Sequence, residues 1–233
     1  RSRKHIARYY NTSDIGAFPT RRKPVTIRSD ITHLPNFIKI KELYEELTRL
    51  NLSVYAPTQY ILPDKLGIYS QLYDTDVNNT TFSQQSREST LKKLMRINFL
   101  KRLESSVDSF RITLGRFADN IQKNVEAIEE FERTGIATDA TGTIVNDDDY
   151  DEDMYDDDSF DSEFTHSIGG KIQINIADMD TLGWKEDLQA DLDVARGLLA
   201  ELSRVTPEHD EKLNELKHSI DDKIKNPINK GNK

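Results

Sequence analysis

Residues 94–114 read LMRINFLKRLESSVDSFRITL, and the assignment of this stretch decides the fold. Apolar side chains return every three or four positions. Leu100, Leu103, Val107, Phe110 and Leu114 share one helical stripe, which runs on through Phe117, Ile121, Ile128 and Phe131; only Asn124 interrupts it, with Val125 beside. The spacing predicts one helix over residues 88–132, roughly 65 Å long at 1.5 Å per residue. Gly115 lies off the stripe and weakens its middle by ~1 kcal/mol without breaking the seam. A helix of this length with one apolar face needs a partner.

The partner is expected near the C-terminus. Trp184, Leu188, Leu192, Ala195, Leu199 and Leu202 form one stripe, and Leu213, Leu216, Ile220 and Ile224 form a second. Thr206 and Pro207, followed by Glu208 and Asp210, read as the start of that second helix. Residues 184–225 match residues 88–132 in length, so the expectation is an antiparallel arrangement with the two later helices end to end along the first. Upstream, FIKIKELYEELTRL (37–50) aligns Ile40, Leu43, Tyr44, Leu47 and Leu50 as an amphipathic helix. DKLGIYSQLY (64–73) predicts a shorter helix with Leu66, Tyr69, Leu72 and Tyr73 toward a core. RSRKHIARYY (1–10) reads as a short basic helix. Val25 and Ile27 alternate after Pro24 as a short strand, DTDVNNTTFSQQS (74–86) as a polar loop, and KIQINI (171–176) as a short extended segment. The fold class is therefore mainly α: a long antiparallel helical hairpin or bundle, a few short strands or extended segments, and a disordered acidic loop.

That loop distorts the charge balance. Residues 147–163 hold 11 acidic side chains and no basic one, while the rest carries 32 Lys and Arg against 30 Asp and Glu. The basic groups gather early: residues 84–123 hold 9 against 4. Arg96, Lys101, Arg102, Arg111 and Arg116 are the candidates for contact with nucleic-acid phosphates. The plain alternative is a solvated helix face whose Lys and Arg stems cover the edge of the seam. Cysteine is absent, which rules out disulfides and thiolate chemistry and fits a reducing, cytoplasmic location. No apolar run approaches the length of a membrane span.

Recognisable catalytic chemistry is missing. Asp147, Asp149, Asp151 and Asp153 alternate as in a calcium loop, but the sixth and twelfth positions are Glu152 and Asp158, not the required Gly and Glu. Gly170-Lys171 is followed by Ile172, not Ser or Thr, so there is no phosphate-binding loop. No two of His5, His33, His166, His209 and His218 are four apart, so none forms a helical zinc pair. Catalytic, cofactor and metal residues are expected to be none.

Lys101, Arg102, Leu103, Glu104, Ser105, Ser106 and Phe110 form a pattern that resembles the Lys-Arg-Leu/Phe-Glu-Ser-Ser segment, followed by Phe, of bacterial Swi/Snf-type helicases of superfamily two. There it lies just upstream of the second motor lobe. RSRKHI (1–6) is similar to the basic element that ends the first RecA-like lobe, FPTRRKPVTI (18–27) to the strand that follows, and NPINKGNK (226–233) to the lead-in to the second lobe. The resemblance implies an inter-lobe helical insertion: residues 1–35 as the exit from lobe one and crossover, 36–83 as a small helical region, 84–225 as the hairpin or bundle with a flexible acidic loop at 134–171, and 226–233 as the lead-in. The start at Arg1 without Met is what a piece of a longer protein presents. ATP and Mg2+ are then expected for the parent and not for this segment, with RecA-like lobes as partners in cis, double-stranded DNA as a further partner, and no membrane.

Overall fold

Helices dominate the computed structural model, which describes residues 8–9, 23–24, 26–77, 80–136 and 173–226. In chain order they are α1 (Ile40–Arg49), α2 (Leu66–Tyr73), α3 (Gln84–Ser105), α4 (Val107–Thr134), α5 (Thr181–Leu202) and α6 (Glu211–Lys225). A hairpin of β1 (Thr75–Val77) and β2 (Thr80–Phe82) precedes α3. The mainly helical class read from sequence is what the chain adopts.

The long helix is two. At Ser106 the backbone is extended (φ −159°, ψ 136°), and the chain turns so that Phe99 of α3 meets Phe110 and Phe117 of α4 edge-on, at 6.3 and 5.4 Å between ring centroids. The periodicity missed this because one extended residue leaves the apolar spacing on either side almost unchanged. A serine is well suited to the break: its Oγ accepts the Ser109 N–H, capping α4. Once α3 folds back, its own stripe, Leu91, Met95 and Phe99, enters the core, whereas Leu100 and Leu103 are only partly buried.

α4 and α5 pack side by side and antiparallel. Lys185, near the start of α5, pairs with Glu132 (2.8 Å) and Glu129 (3.4 Å), near the end of α4. Arg196 donates to Gln122 (2.9 Å) further along. Between the two helices lie Phe110, Leu114, Ile121 and Ile128 from α4, and Trp184, Leu188, Leu192 and Leu202 from α5, each at most 1 % exposed. Large apolar side chains buried this completely each contribute about 1.5–3 kcal/mol. α1 buries Leu43, Leu47 and Leu50 against α5 and α3, leaving Ile40 and Tyr44 about half exposed at the edge of its stripe.

Several local expectations are corrected. α6 begins at Glu211, four residues after Pro207. Thr206 instead closes a turn by accepting from the His209 and Asp210 N–H groups, and buried Asp210 caps the helix by accepting from Leu213 N (2.9 Å). Nor does α6 continue along α4, whose seam α3 and α5 already occupy; no α6 residue is buried. In α2, Tyr69 is buried and Leu66 and Tyr73 pack against the core, but Leu72 is 64 % exposed because at 100° per residue it falls beside that face. The polar loop contains a hairpin, pairing Thr75 with Phe82 and Val77 with Thr80. Residues 26–30 are irregular, for the one sheet among the described residues is that hairpin. Residues 173–175 are irregular too, and the chain returns through a single antiparallel bridge between Ile61 and Met179. Arg8 and Tyr9 are helical; the rest of the basic N-terminal segment and the acidic run lie outside the described residues.

Candidate functional site

Residues 101–110 build the α3–α4 junction. The Arg102 carbonyl accepts the Ser106 N–H (2.9 Å) and ends α3, and the Ser106 carbonyl accepts the Phe110 N–H (3.0 Å) and begins α4. Arg102 Nη1 donates to Ser109 Oγ (3.2 Å), bracing one helix on the other. Phe110 is fully buried, Leu103 is half-buried, and Glu104 and Ser105 face outward.

Residues 31–33 and the first turn of α6 meet here. The Glu211 N–H donates to the Ile31 carbonyl (3.3 Å), His33 Nε2 lies 3.4 Å from the Glu211 carboxylate, and Lys212 Nζ donates to the Glu104 carbonyl. Two open clefts, of about 520 and 400 Å³, share Ser106, Val107, Asp210 and Lys212. Val205, Pro207, Leu213 and Leu216 line the first; Ile27, Ile31, Ile40 and Leu103 line the second. Arg28, Arg111 and Lys212 stand among Asp30, Asp108 and Asp210, so neither cleft has a single sign of charge.

The five basic candidates do not form one cluster. Arg96 turns inward, donating from Nη2 to the Leu50 carbonyl (2.8 Å). Arg102 and Arg111 flank the junction, the first on Ser109 and the second paired with Asp108. Lys101 and Arg116 are exposed, on different helices.

Sequence reasoning missed a second constellation, three carboxylates that hold residues 51–60 between α3 and α5. Asp191, 1 % exposed, accepts from Asn51 N (2.5 Å), Ser53 N (3.0 Å) and Ser53 Oγ (3.1 Å). Between Asn51 and Ser53, Leu52 is fully buried in the left-handed region (φ 55°, ψ 40°), a conformation that costs a leucine about 1–2 kcal/mol and that Asp191 holds in place. Glu88, also 1 % exposed, accepts from Thr58 N (3.2 Å), Thr58 Oγ1 (2.5 Å) and Gln84 Nε2 (3.3 Å). Asp187 accepts from Tyr60 Oη (2.5 Å) and Asn51 Nδ2 (3.2 Å).

Burial sets the electrostatics of this group. Loss of water pushes the Glu88 carboxyl up to about 7, against the lowering effect of its three hydrogen bonds and of Lys92. The same cause raises Asp191 and Tyr60, the latter helped by Asp187. Lys92 is lowered by its own burial and then by Arg96. The available signal was register: Glu88 shares its helical face with Leu91 and Met95, and Asp191 sits beside Leu192 and one turn after Asp187. Among the described residues no three His, Asp or Glu side chains are grouped to hold a metal, and no helix is long and apolar enough to cross a membrane.

No family model matches the chain, and no curated protein or solved structure matches it either.

Proposed function

We propose that the chain is a helical insertion and coupling module of an ATP-dependent, Swi/Snf-type DNA helicase or translocase, itself without the ATPase motifs, whose exposed basic side chains touch duplex phosphates. One structural observation supports this most: residues 31–33 and the first turn of α6, far apart in sequence, meet at the junction built by Lys101–Ser106 and Phe110. A bundle rooted at such a point moves as a lever with whatever it is rooted in. ATP and Mg2+ belong, on this reading, to RecA-like lobes outside the bundle.

Duplex binding measured by fluorescence anisotropy across a salt series tests the phosphate contact. Each neutralised phosphate contributes about −0.9 to the slope of log K against log salt. Lys101→Ala and Arg116→Ala should each reduce that slope by about one, whereas Arg96→Ala should leave it unchanged because Arg96 is engaged with Leu50. Absence of binding at low salt removes the nucleic-acid part. The coding sequence on either side tests the rest: a phosphate-binding loop upstream and a strand-first lobe downstream are expected, and their absence from the parent protein refutes the motor assignment.

The exposed apolar stripe of α6 favours a second reading, a helical scaffold or protein-interaction domain with an acidic tether. Sedimentation over a range of concentrations separates a self-associating scaffold, which dissociates on dilution, from a monomeric module.

A further inference from the structure

The chain passes once, through Ser106, between two halves that each have bonds of their own. Before it, Arg96 donates to the Leu50 carbonyl and Glu88 accepts from Thr58, tying α3 to the segment that follows α1. After it, Lys185 joins α5 to Glu129 and Glu132 of α4. The halves then grip each other. Phe99 meets Phe110 and Phe117, and Tyr55 stacks on Phe117 at 5.8 Å between centroids. Asp191 and Asp187 accept from Asn51, Ser53 and Tyr60, and Ile61 bridges to Met179. Each of these contacts joins a residue before Ser106 to one after it.

The hinge is one extended residue within a sequence that favours helix on both sides. Residues 101–110 contain no Gly or Pro, and Leu91, Met95, Phe99, Leu103, Val107, Phe110 and Leu114 keep a 3-4 spacing across the break. Straightened, residues 84–134 make one helix roughly 75 Å long. It gains the ladder bonds that the elbow interrupts, from the N–H groups of Val107, Asp108 and Ser109 to the carbonyls of Leu103, Glu104 and Ser105. It gives up the Ser106 cap, the Arg102–Ser109 brace and the Lys212 bond to the Glu104 carbonyl. Within one chain the exchange fails, because straightening carries α3 away from Phe110 and Phe117 and uncovers the core. Between two chains the remaining contacts form again, each copy supplying the half that the other lacks.

We infer that the partner this fold accepts is a second copy of itself: Ser106 is a hinge through which two copies exchange α1, α2 and α3, and α3 runs into α4 as one helix in each. A short hinge between exchangeable halves is the ordinary origin of such dimers. The surface used is the monomer's own core, so selectivity comes from shape and not from charge. α4 and α5 stay paired within each chain. The inference uses the elbow alone and does not rest on the motor assignment.

The test is to unfold the full chain, refold it at a series of concentrations and separate the products by gel filtration with light scattering. Monomer is expected in dilute solution and a growing dimer fraction at high concentration. That dimer should outlast dilution, since its return requires α3 to leave the core. Ser106→Ala removes the cap and favours helix at the hinge, so it should raise the dimerisation constant at least tenfold, while in dilute solution the bent monomer remains the form present. Two glycines inserted between Ser105 and Ser106 keep the cap and ease the bend, and should lower it at least tenfold. His33→Cys with Glu211→Cys places two thiols across the halves, where the parent side chains lie 3.4 Å apart, in a chain with no other cysteine. A short bismaleimide should link them within one chain in the monomer fraction and between chains in the dimer fraction. A parent chain that stays monomeric at every concentration overturns the proposal. So does a dimer whose cysteines link only within chains, as one joined through α6 would, or a dimer that either hinge variant leaves unchanged.

Discussion

Glu88 is a buried acid with no ion-pair partner among the described residues, and its position costs stability when it is charged. Its folded pKa of about 7 lies above the unfolded 4.5, so the folded state binds the proton more tightly. Stability from this group is full below about pH 4.5 and is lost as the pH rises through about 7. A rise of this size corresponds to about 3 kcal/mol. Asp191 is shifted in the same direction and adds to the slope at the acid end. Glu88→Gln keeps an acceptor for both Thr58 donors. Thermal melts should therefore show the variant more stable than the parent by about 1–3 kcal/mol at pH 8, and near equal at pH 5. An unchanged pH slope in the variant would show that Glu88 is not the group titrating. Only register hints at this in the sequence, since Glu88 shares a helical face with Leu91 and Met95. Glu88 sits in a run of helix-forming residues where a solvated glutamate is the ordinary expectation, and only its partners across 30 residues of chain reveal its burial.

At the scale of the element, the Ser106 break separates two helices that share one apolar pattern. Ser106→Ala removes the cap on α4 and should destabilise the chain by about 1 kcal/mol in urea titration. Ser106→Gly should cost only a few tenths. Ser106→Pro loses the N–H that the Arg102 carbonyl accepts and demands φ near −65° where the chain has −159°, so it should cost several kcal/mol. If Ala were instead stabilising, α3 and α4 would have a competing straight form. Phe99→Ala should cost about 3–5 kcal/mol, because Phe99 holds the fold-back against Phe110 and Phe117. Helix existence and type were readable here from 3-4 spacing, as were most core positions of α4 and α5. The break was not, since serine at a cap and serine within a helix look alike until the next turn's amide is located.

For the whole molecule the deciding contact is the antiparallel pairing of α4 with α5. The chain has no cysteine, so Glu132→Cys with Lys185→Cys supplies the only two thiols, replacing residues whose charges lie 2.8 Å apart. A short bismaleimide should link them within one chain, the product running as a monomer on a denaturing gel with altered mobility. Linkage only between chains would show the hairpin to be intermolecular. Ser106 and Phe110 build the elbow, Arg102 braces it, and Arg96 belongs to the packing of α1 on α3.

Local periodicity, by itself, determined that this chain is mainly helical and which faces of α4 and α5 are apolar; the antiparallel expectation rested on matching residues 184–225 to residues 88–132 in length, and the chain adopts only its α4–α5 part. Tertiary structure alone decided the fold-back at Ser106, the outward stripe of α6 and the three carboxylates that hold residues 51–60. The physical reason is range. A helical stripe is written in neighbours three and four apart, whereas a turn held by one cap, a seam already occupied by another helix, and a buried acid satisfied by distant donors all depend on residues that meet only when the chain has folded.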